Sequence, residues 1–309
     1  MKAVEAVLRR TILAAAESSR LQSLVTRHGM RFGAARFVAG TTLDEAVVVL
    51  RRLNEAGLRT NTTLLGEGVV EPTQTHDVVG AYCTILDRIA SERLQTNIAL
   101  KLTHLGLALD EELAVRSLEE VVSHAADRNI FVRIDMEESP YVAATLRVFR
   151  VLRERGHANV GTALQSYLFR SEADLESLLD LKPNLRFVKG AYLESPEVAY
   201  PDKADVDAAY LRLIRRSLEA GGFTAIATHD ESLIGAVTAH VQTGEIPRSS
   251  FQFQMLYGVK PKLQLELVRR GYDVLIAAPY GPDWYRYLMR RLAERPANLL
   301  FFARNLLPR

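Results

Sequence analysis

Eight short runs rich in β-branched and apolar residues, each separated from the next by an amphipathic helical stretch, constrain this chain more than any other feature. The runs are Arg59–Leu65, Asn97–Leu102, Phe131–Asp135, Val160–Gln165, Leu185–Tyr192, Thr224–Thr228, Phe251–Leu256 and Val274–Ala278. The helices between them carry start signals. Thr42-Leu-Asp-Glu45 is a capping box, Ser139-Pro140 opens another helix, and Ser171 and Asp205 read as further caps. Strand starts recur at roughly 25 to 40 residues, which suits an α/β fold of the (β/α)8 TIM-barrel type, about 250 residues long. The reading divides the chain into an N-terminal helical extension, residues 1–41, and one barrel domain, residues 42–309. A doubly wound sheet is the competing architecture. Its dinucleotide turn needs three spaced glycines, and Gly66-Glu-Gly68-Val-Val-Glu lacks the third.

Composition narrows the function classes. With 309 residues, 48% hydrophobic and 25% charged, the chain can bury a large core. A net charge of +2, without basic runs interleaved with aromatics, argues against nucleic acid as a partner. Cys83 is the only cysteine, so neither an intrachain disulfide nor a thiolate zinc site can form, and a cytoplasmic, reducing compartment fits. Glu5 and Glu17 interrupt the amphipathic N-terminal stretch and spoil a signal-peptide reading. No run approaches the ~18 uninterrupted apolar residues of a membrane helix, so any membrane contact is peripheral.

Chemistry in such a barrel sits at the C-terminal ends of the strands. Polar residues stand at nearly every one: Glu67, Lys101, Asp135, Gln165, Arg186 and Lys189, Thr228-His229, and Gln254. After the eighth strand, Val274-Leu-Ile-Ala-Ala-Pro279-Tyr-Gly281 reads as a buried strand ending in a turn, and Asp283 is placed to cap the next helix. That helix carries Tyr287, Arg290, Arg291 and Glu294 at spacings of three, four and seven, which share one arc. On spacing alone, a solvated basic face is the commoner meaning of paired arginines. Next to a strand end they also suit a small-carboxylate clamp, because each planar fork binds a carboxylate in bidentate fashion. The ring holds an excess of positive charge, no histidine pair suited to a metal and no serine–histidine triad, which points to an anionic ligand or cofactor.

Six strand-end segments carry a family resemblance. Ile98-Ala-Leu-Lys101-Leu, Arg133-Ile-Asp135-Met136-Glu, Leu185-Arg186-Phe-Val-Lys189-Gly190-Ala191-Tyr192, Ala227-Thr228-His229-Asp, Phe253-Gln254-Met255-Leu-Tyr257-Gly258 and Tyr287-x-x-Arg290-Arg291-x-x-Glu294 resemble proline dehydrogenase, in order, from about Leu64 to the C-terminus. The resemblance implies a distorted (β/α)8 flavoenzyme that oxidises L-proline to Δ1-pyrroline-5-carboxylate, the first step of proline catabolism to glutamate. By position it implies that Arg290 and Arg291 bind the substrate carboxylate with Lys101 as a further cation, that Tyr192 and Tyr287 wall the ring, and that Glu294 and Glu67 orient the arginines. FAD would lie against Asp135, Met136, Gln165, Arg186, Lys189, Gly190, Ala191, Thr228 and His229. Arg186 would stand near the flavin N5 as one catalytic residue and Asp135 as the other, without a compelling dedicated base. The implied partners are a membrane quinone as electron acceptor and a downstream pyrroline-5-carboxylate dehydrogenase. The Asn298–Leu307 run and the amphipathic N-terminal stretch suit either peripheral docking or packing on the barrel, the latter being commoner.

Two positions depart from the family pattern. Ala277 stands where proline-preferring members usually carry tyrosine, which would enlarge the pocket and admit hydroxyproline or another proline analogue, and Thr62-Thr63 stands where an aspartate is common. Three other readings stay open: an aldolase with Lys101 or Lys189 as Schiff-base nucleophile, a different flavin barrel such as a methylenetetrahydrofolate reductase, and a non-catalytic binding barrel.

Overall fold

The computed structural model describes residues 36–66 and 68–294; the side chains of residues 290–294 lie outside the described set. Eight parallel strands close a barrel in chain order: β1 Arg59–Thr62, β2 Thr96–Leu100, β3 Val132–Ile134, β4 Val160–Gln165, β5 Asn184–Val188, β6 Phe223–Ala227, β7 Phe251–Leu256 and β8 Val274–Ala277. The helices are α1 Leu43–Glu55, α2 Pro72–Ser91, α3 Glu111–Ala126, α4 Ser139–Glu154, α5 Ser171–Leu178, α6 Lys203–Glu219, α7 Glu231–Thr243, α8 Pro261–Arg269 and α9 Trp284–Glu294. The closing pair, β1 with β8, aligns Thr60 with Ile276. The expected barrel is therefore the observed one.

Start signals hold where a side chain can reach an orphan N–H. Thr42 accepts from the Glu45 amide, and the Glu45 carboxylate reaches back to Thr42 N, which completes the capping box. Two expected caps are corrected. Ser171 is the first residue of α5, not its cap, because its hydroxyl donates to Gln165 O at 2.6 Å and ties the helix to the end of β4. Asp205 lies within the first turn of α6, with Asp202 at the cap position, so its charge favours the N-terminus without capping it. The strands also end earlier than the apolar runs. Leu102 is fully buried but belongs to a short 3-10 turn, Leu102–Leu105, and the fifth run leaves the sheet after Val188. Apolar residues continue there because the loops are packed over the barrel, and hydrophobicity alone cannot separate a strand from a buried turn.

Most of the expected N-terminal extension lies outside the described residues. Of the part described, Phe37, Val38 and Ala39 are buried, Ala39 N donates to Pro279 O at 2.8 Å, and Gly281 N donates to Gly40 O at 3.1 Å. This segment therefore lies against the loop that follows β8.

Alternation along the strands sends an unusually polar set of side chains inward. Most such barrels fill the interior with branched apolar residues. Here Arg133, Arg186, Gln252 and Gln254 enter the interior from odd-numbered strands and are all buried. Their room comes from small neighbours in register: Arg133 sits between Ala99 and Gly161, and Arg186 between Ala163 and Ala225. Arg133 Nη1 donates to Thr162 O at 2.7 Å and Asn184 O at 2.6 Å, and its other nitrogen meets the Asn184 side chain. Burial pulls the Arg133 pKa well below its ordinary value, with Arg186 acting in the same direction and Asp135 against it. A Cβ on Gly161 would lie 2.3 Å from Asn184 O and 2.7 Å from Arg133 Nη1. Gly161→Ala should therefore destabilise the protein by about 3 kcal/mol, the upper range for overpacking. Urea denaturation checks this, and a midpoint equal to wild type would show that the interior has slack at β4.

Candidate active site

The barrel mouth begins one residue layer above this closed interior. Thr63, Lys101, Asp135, Val188, Ala227 and Ala277 stand at strand ends and are half-buried, whereas Ala99, Arg133, Ala163, Arg186, Ala225 and Leu275 beneath them are buried. The change in exposure marks a concave opening whose floor carries the Arg186 guanidinium.

Arg186 is the best-anchored charge of the site. Its Nη1 donates to Asp135 Oδ1 at 2.5 Å and its Nε donates to Gln254 Oε1 at 2.6 Å. Burial lowers the Arg186 pKa from its ordinary value, and the Asp135 charge and hydrogen bond work against that. Asp135 is therefore placed as the counter-ion of Arg186. Among the described residues no hydrogen bond joins Asp135 to Lys101.

Lys101, just past β2, is half-buried, and among the described residues its ammonium has no hydrogen bond or ion pair. The carboxylate that acts on it is Glu137, which sequence reasoning quoted within a motif but gave no role. Glu137 is buried, accepts from Thr103 N at 3.0 Å and from the Thr103 hydroxyl at 2.6 Å. Burial raises its pKa, while Thr103 and the Lys101 charge pull it down without cancelling the rise. Its backbone carbonyl accepts from Gln165 Nε2 at 2.9 Å, which fixes the Gln165 amide and leaves Oε1 as an acceptor for a ligand N–H.

On the β5–β6 side, Lys189 lies just beyond its strand, 2.6 Å from Asp207 Oδ1 and 3.4 Å from Asp230 Oδ2. Lys203 bridges the same two carboxylates. Burial would raise Asp207 and Asp230, but the two lysines hold both below the ordinary carboxylate range. Asp207 was not legible, because it sits a full turn into α6 and only the fold brings it to Lys189. Asp230 had a signal: it follows Thr228-His229 directly and caps α7 by accepting from Ser232 N.

The turn after Lys189 needs its glycine twice over. Gly190 has φ +124°, and a Cβ there would fall 2.3 Å from the Tyr167 ring. Ala191 and Tyr192 follow on the same loop, both half-buried. Two residues further, Glu194 caps α4 from outside, accepting from Ser139 N at 2.7 Å and from the Ser139 hydroxyl at 2.6 Å. At the end of β6, His229 Nε2 accepts from Leu256 N at 2.8 Å, so a neutral ring carries its proton on Nδ1. Thr228 is buried and its hydroxyl accepts from Asp230 N. Met136 is buried beside Asp135.

Helix α9 follows β8, starting directly after Asp283. Trp284, Tyr285 and Leu288 are fully buried and Tyr287 is half-buried, so the helix is seated along one side. Helical spacing puts positions 290, 291 and 294 on the arc of Tyr287. The side chains of Arg290, Arg291 and Glu294, and all of Glu67, lie outside the described residues.

A closed parallel (β/α)8 barrel, with Arg186 paired to Asp135 beneath its strand ends, defines a TIM-barrel protein. The family model described as "Proline dehydrogenase" matches residues 46–304. The chain belongs to the proline dehydrogenase family. It is 40% identical to Proline dehydrogenase 1 of Bacillus subtilis strain 168 over 301 residues, covering 97% of this chain and 99% of the relative. It is 39% identical to Proline dehydrogenase of Deinococcus radiodurans over 308 residues, covering 98% of this chain and 99% of the relative. Among solved structures, proline utilization A (PutA) of Bdellovibrio bacteriovorus, inactivated by N-propargylglycine, shares the fold with a TM-score of 0.82 at 24% identity. That match covers 89% of this chain but 34% of the larger protein.

Asp135 and Glu137 should respond oppositely to loss of charge. Asp135→Ala strands a buried guanidinium and should cost about 3–5 kcal/mol. Glu137→Gln removes a carboxylate whose pKa is raised on folding, so ionised Glu137 opposes stability above its ordinary value of 4.5. The variant should match or exceed wild-type thermal stability at pH 7, with the difference shrinking as the pH falls towards 4.5. Melting curves across pH check both, and a loss of stability in Glu137→Gln that persists in acid would refute the sign.

Proposed function

We propose that this protein is an FAD-dependent proline dehydrogenase. The observation that carries the reading is the Arg186–Asp135 pair on the floor of the mouth, flanked by the open cation Lys101 and by the helix that bears Arg290 and Arg291. Family membership at 40% identity over nearly the whole chain supports it.

The residues present fit the cofactor. Lys189, braced by Asp207 and Asp230, and Arg186 supply cations where an anionic ligand needs them, and Gln165 offers an acceptor with its orientation fixed. Gly190, at positive φ, lets the backbone between Lys189 and Ala191 pass close against Tyr167. Met136, Thr228 and His229 complete the surround. Held there, FAD would supply a two-electron acceptor for the hydride on C5 of L-proline, the nitrogen proton leaving to solvent to give Δ1-pyrroline-5-carboxylate; a quinone would re-oxidise the cofactor and a pyrroline-5-carboxylate dehydrogenase would consume the product.

The side chains have separable tasks. Arg290 and Arg291 grip the substrate carboxylate through charge-assisted hydrogen bonds, with Lys101 as the third cation. Lys101 and the arginines also disfavour a protonated substrate amine, so the nitrogen lone pair is available when the C–N bond is oxidised. Tyr192 and Tyr287 wall the ring, and Glu67 and Glu294 steady the arginines. Arg186 holds positive charge on the floor, where negative charge accumulates as the cofactor is reduced. Asp135 keeps that arginine charged and oriented. No helix among the described residues is long and apolar enough to cross a membrane.

The visible spectrum of the purified protein, recorded anaerobically before and after L-proline, tests this reading. Flavin bands that bleach with proline are expected; bands that persist would remove proline as substrate, and a colourless protein unable to take up FAD would remove the cofactor. Arg290→Ala and Arg291→Ala should each weaken proline binding about 10- to 100-fold, the loss expected for one charged hydrogen-bond pair.

Ala277 supports a second, broader substrate reading. It is half-buried at the end of β8, in register with Leu256 of β7 and Asn61 of β1, so a methyl group stands at this strand end where the resemblance implies a ring. Hydroxyproline or another ring-substituted proline should be oxidised as well. Ala277→Tyr is expected to cut kcat/KM for hydroxyproline at least tenfold more than for proline; equal losses on both substrates would refute the assignment.

A further inference from the structure

The polar interior contains a continuous hydrogen-bonded line from the mouth to the opposite rim. Arg186 Nε donates to Gln254 Oε1 at 2.6 Å, Gln254 Nε2 donates to Gln252 Oε1 at 2.9 Å, and Gln252 Nε2 donates to Asp273 Oδ2 at 2.7 Å. Asp273 lies 3.5 Å from Arg59 at the base of β1. Arg186 and both glutamines are buried. The line exists because Gln252 and Gln254 are two apart on one strand and point the same way, and because Ala225, in register with both Arg186 and Gln252, brings only a methyl group to the crossing.

The two charged ends leave the amides one satisfactory arrangement. A guanidinium only donates and a carboxylate only accepts. Each glutamine must therefore turn its oxygen towards Arg186 and its nitrogen towards Asp273. Rotating either amide by half a turn would set donor against donor on one side and acceptor against acceptor on the other. Asp135 holds one edge of the guanidinium, and Gln254 holds the Nε edge. Two anchors on different edges fix its plane, which a single contact cannot do.

We propose that Gln254, backed by Gln252 and Asp273, is a positioning residue that fixes the plane of the Arg186 guanidinium and thereby sets the positive charge the floor presents to the reduced cofactor. The consequence for the cofactor rests on the FAD reading above; the relay itself does not. Gln254→Met keeps the length and apolar bulk of the side chain but removes the acceptor. Gln254→Glu keeps an acceptor for Arg186 and adds negative charge.

Two measurements separate the relay from its consequence. The first follows exchange of the Arg186 side-chain Nε proton by NMR in protein labelled with 15N-arginine, the signal being assigned by its loss in Arg186→Lys. It should exchange slowly in wild type and in Gln254→Glu, and at least tenfold faster in Gln254→Met. The second is the two-electron potential of the FAD-loaded protein. Gln254→Met should lose about tenfold in preference for reduced over oxidised flavin, about 30 mV downward. Gln254→Glu should also fall, because its carboxylate offsets the Arg186 charge, and Gln252→Met should fall by less than Gln254→Met. If Gln254→Met does not fold, Gln254→Glu and Gln252→Met still decide. Changes below twofold in both measurements for the variants that fold would overturn the proposal, since a merely space-filling glutamine would shift thermal stability alone. A wild-type protein that takes up no FAD would sink the FAD reading, while the exchange measurement would still judge the relay.

Discussion

A guanidinium buried beneath the barrel mouth is the constraint to which much of this structure answers. Taking an arginine out of water is costly unless its charge is paired and its donors are used. Asp135 provides the charge, Gln254 takes the Nε donor, and Ala163 and Ala225 in the neighbouring strands leave the volume. Arg133, one strand pair away, meets the same demand with carbonyl oxygens and with Gly161 as its spacer. The small residues on even-numbered strands and the long polar ones on odd-numbered strands are thus one arrangement. Neither set makes sense in a barrel interior without the other.

That arrangement also bears on the proposed reaction. A floor rigid in its hydrogen bonding presents charge without reorganising when the ligand's charge changes, the condition under which protein electrostatics favour a reaction. Around the rim the charges are carried by lysines, whose ammonium groups are point charges without a fixed plane. Lys189 shares two carboxylates with Lys203, and Lys101 faces a buried Glu137 whose proton affinity is raised by burial. The site therefore combines a cation fixed in its plane below with ammonium groups at the edge.

Glutamine 254 illustrates how site and scaffold merge in this barrel. It is a strand residue, it packs like a core residue, and it touches a side chain of the mouth. Glu137, in the loop after β3, is likewise buried; it binds Thr103 through its side chain and Gln165 through its backbone, joining the ends of three strands. Side chains of this sort carry no distinctive local spacing, and a reading by strand-end position alone either omits them or leaves them without a role.

The sequence by itself determined the barrel. Eight apolar runs at helix-sized intervals have few other ways to bury themselves, and the strand ends gathered Lys101, Asp135, Gln165, Arg186, Lys189 and Thr228-His229 before any coordinates were needed. It also determined the arc of Tyr287, Arg290, Arg291 and Glu294, because helical spacing is a local property. Strand ends, the caps at Ser171 and Asp205, and the partners of the charged residues were decided only by the tertiary structure. Apolar loops over a barrel look like strands in one dimension, and Ser171 has a carbonyl to bond, Gln165 O, only once β4 and α5 are in place. Likewise, Arg186 finds Asp135, Gln254 and, through Gln252, Asp273 across separations of 51, 68 and 21 residues between bonded pairs along the chain. Electrostatic pairing acts over a few ångströms in space and is indifferent to distance in sequence, so the fold alone could make those choices.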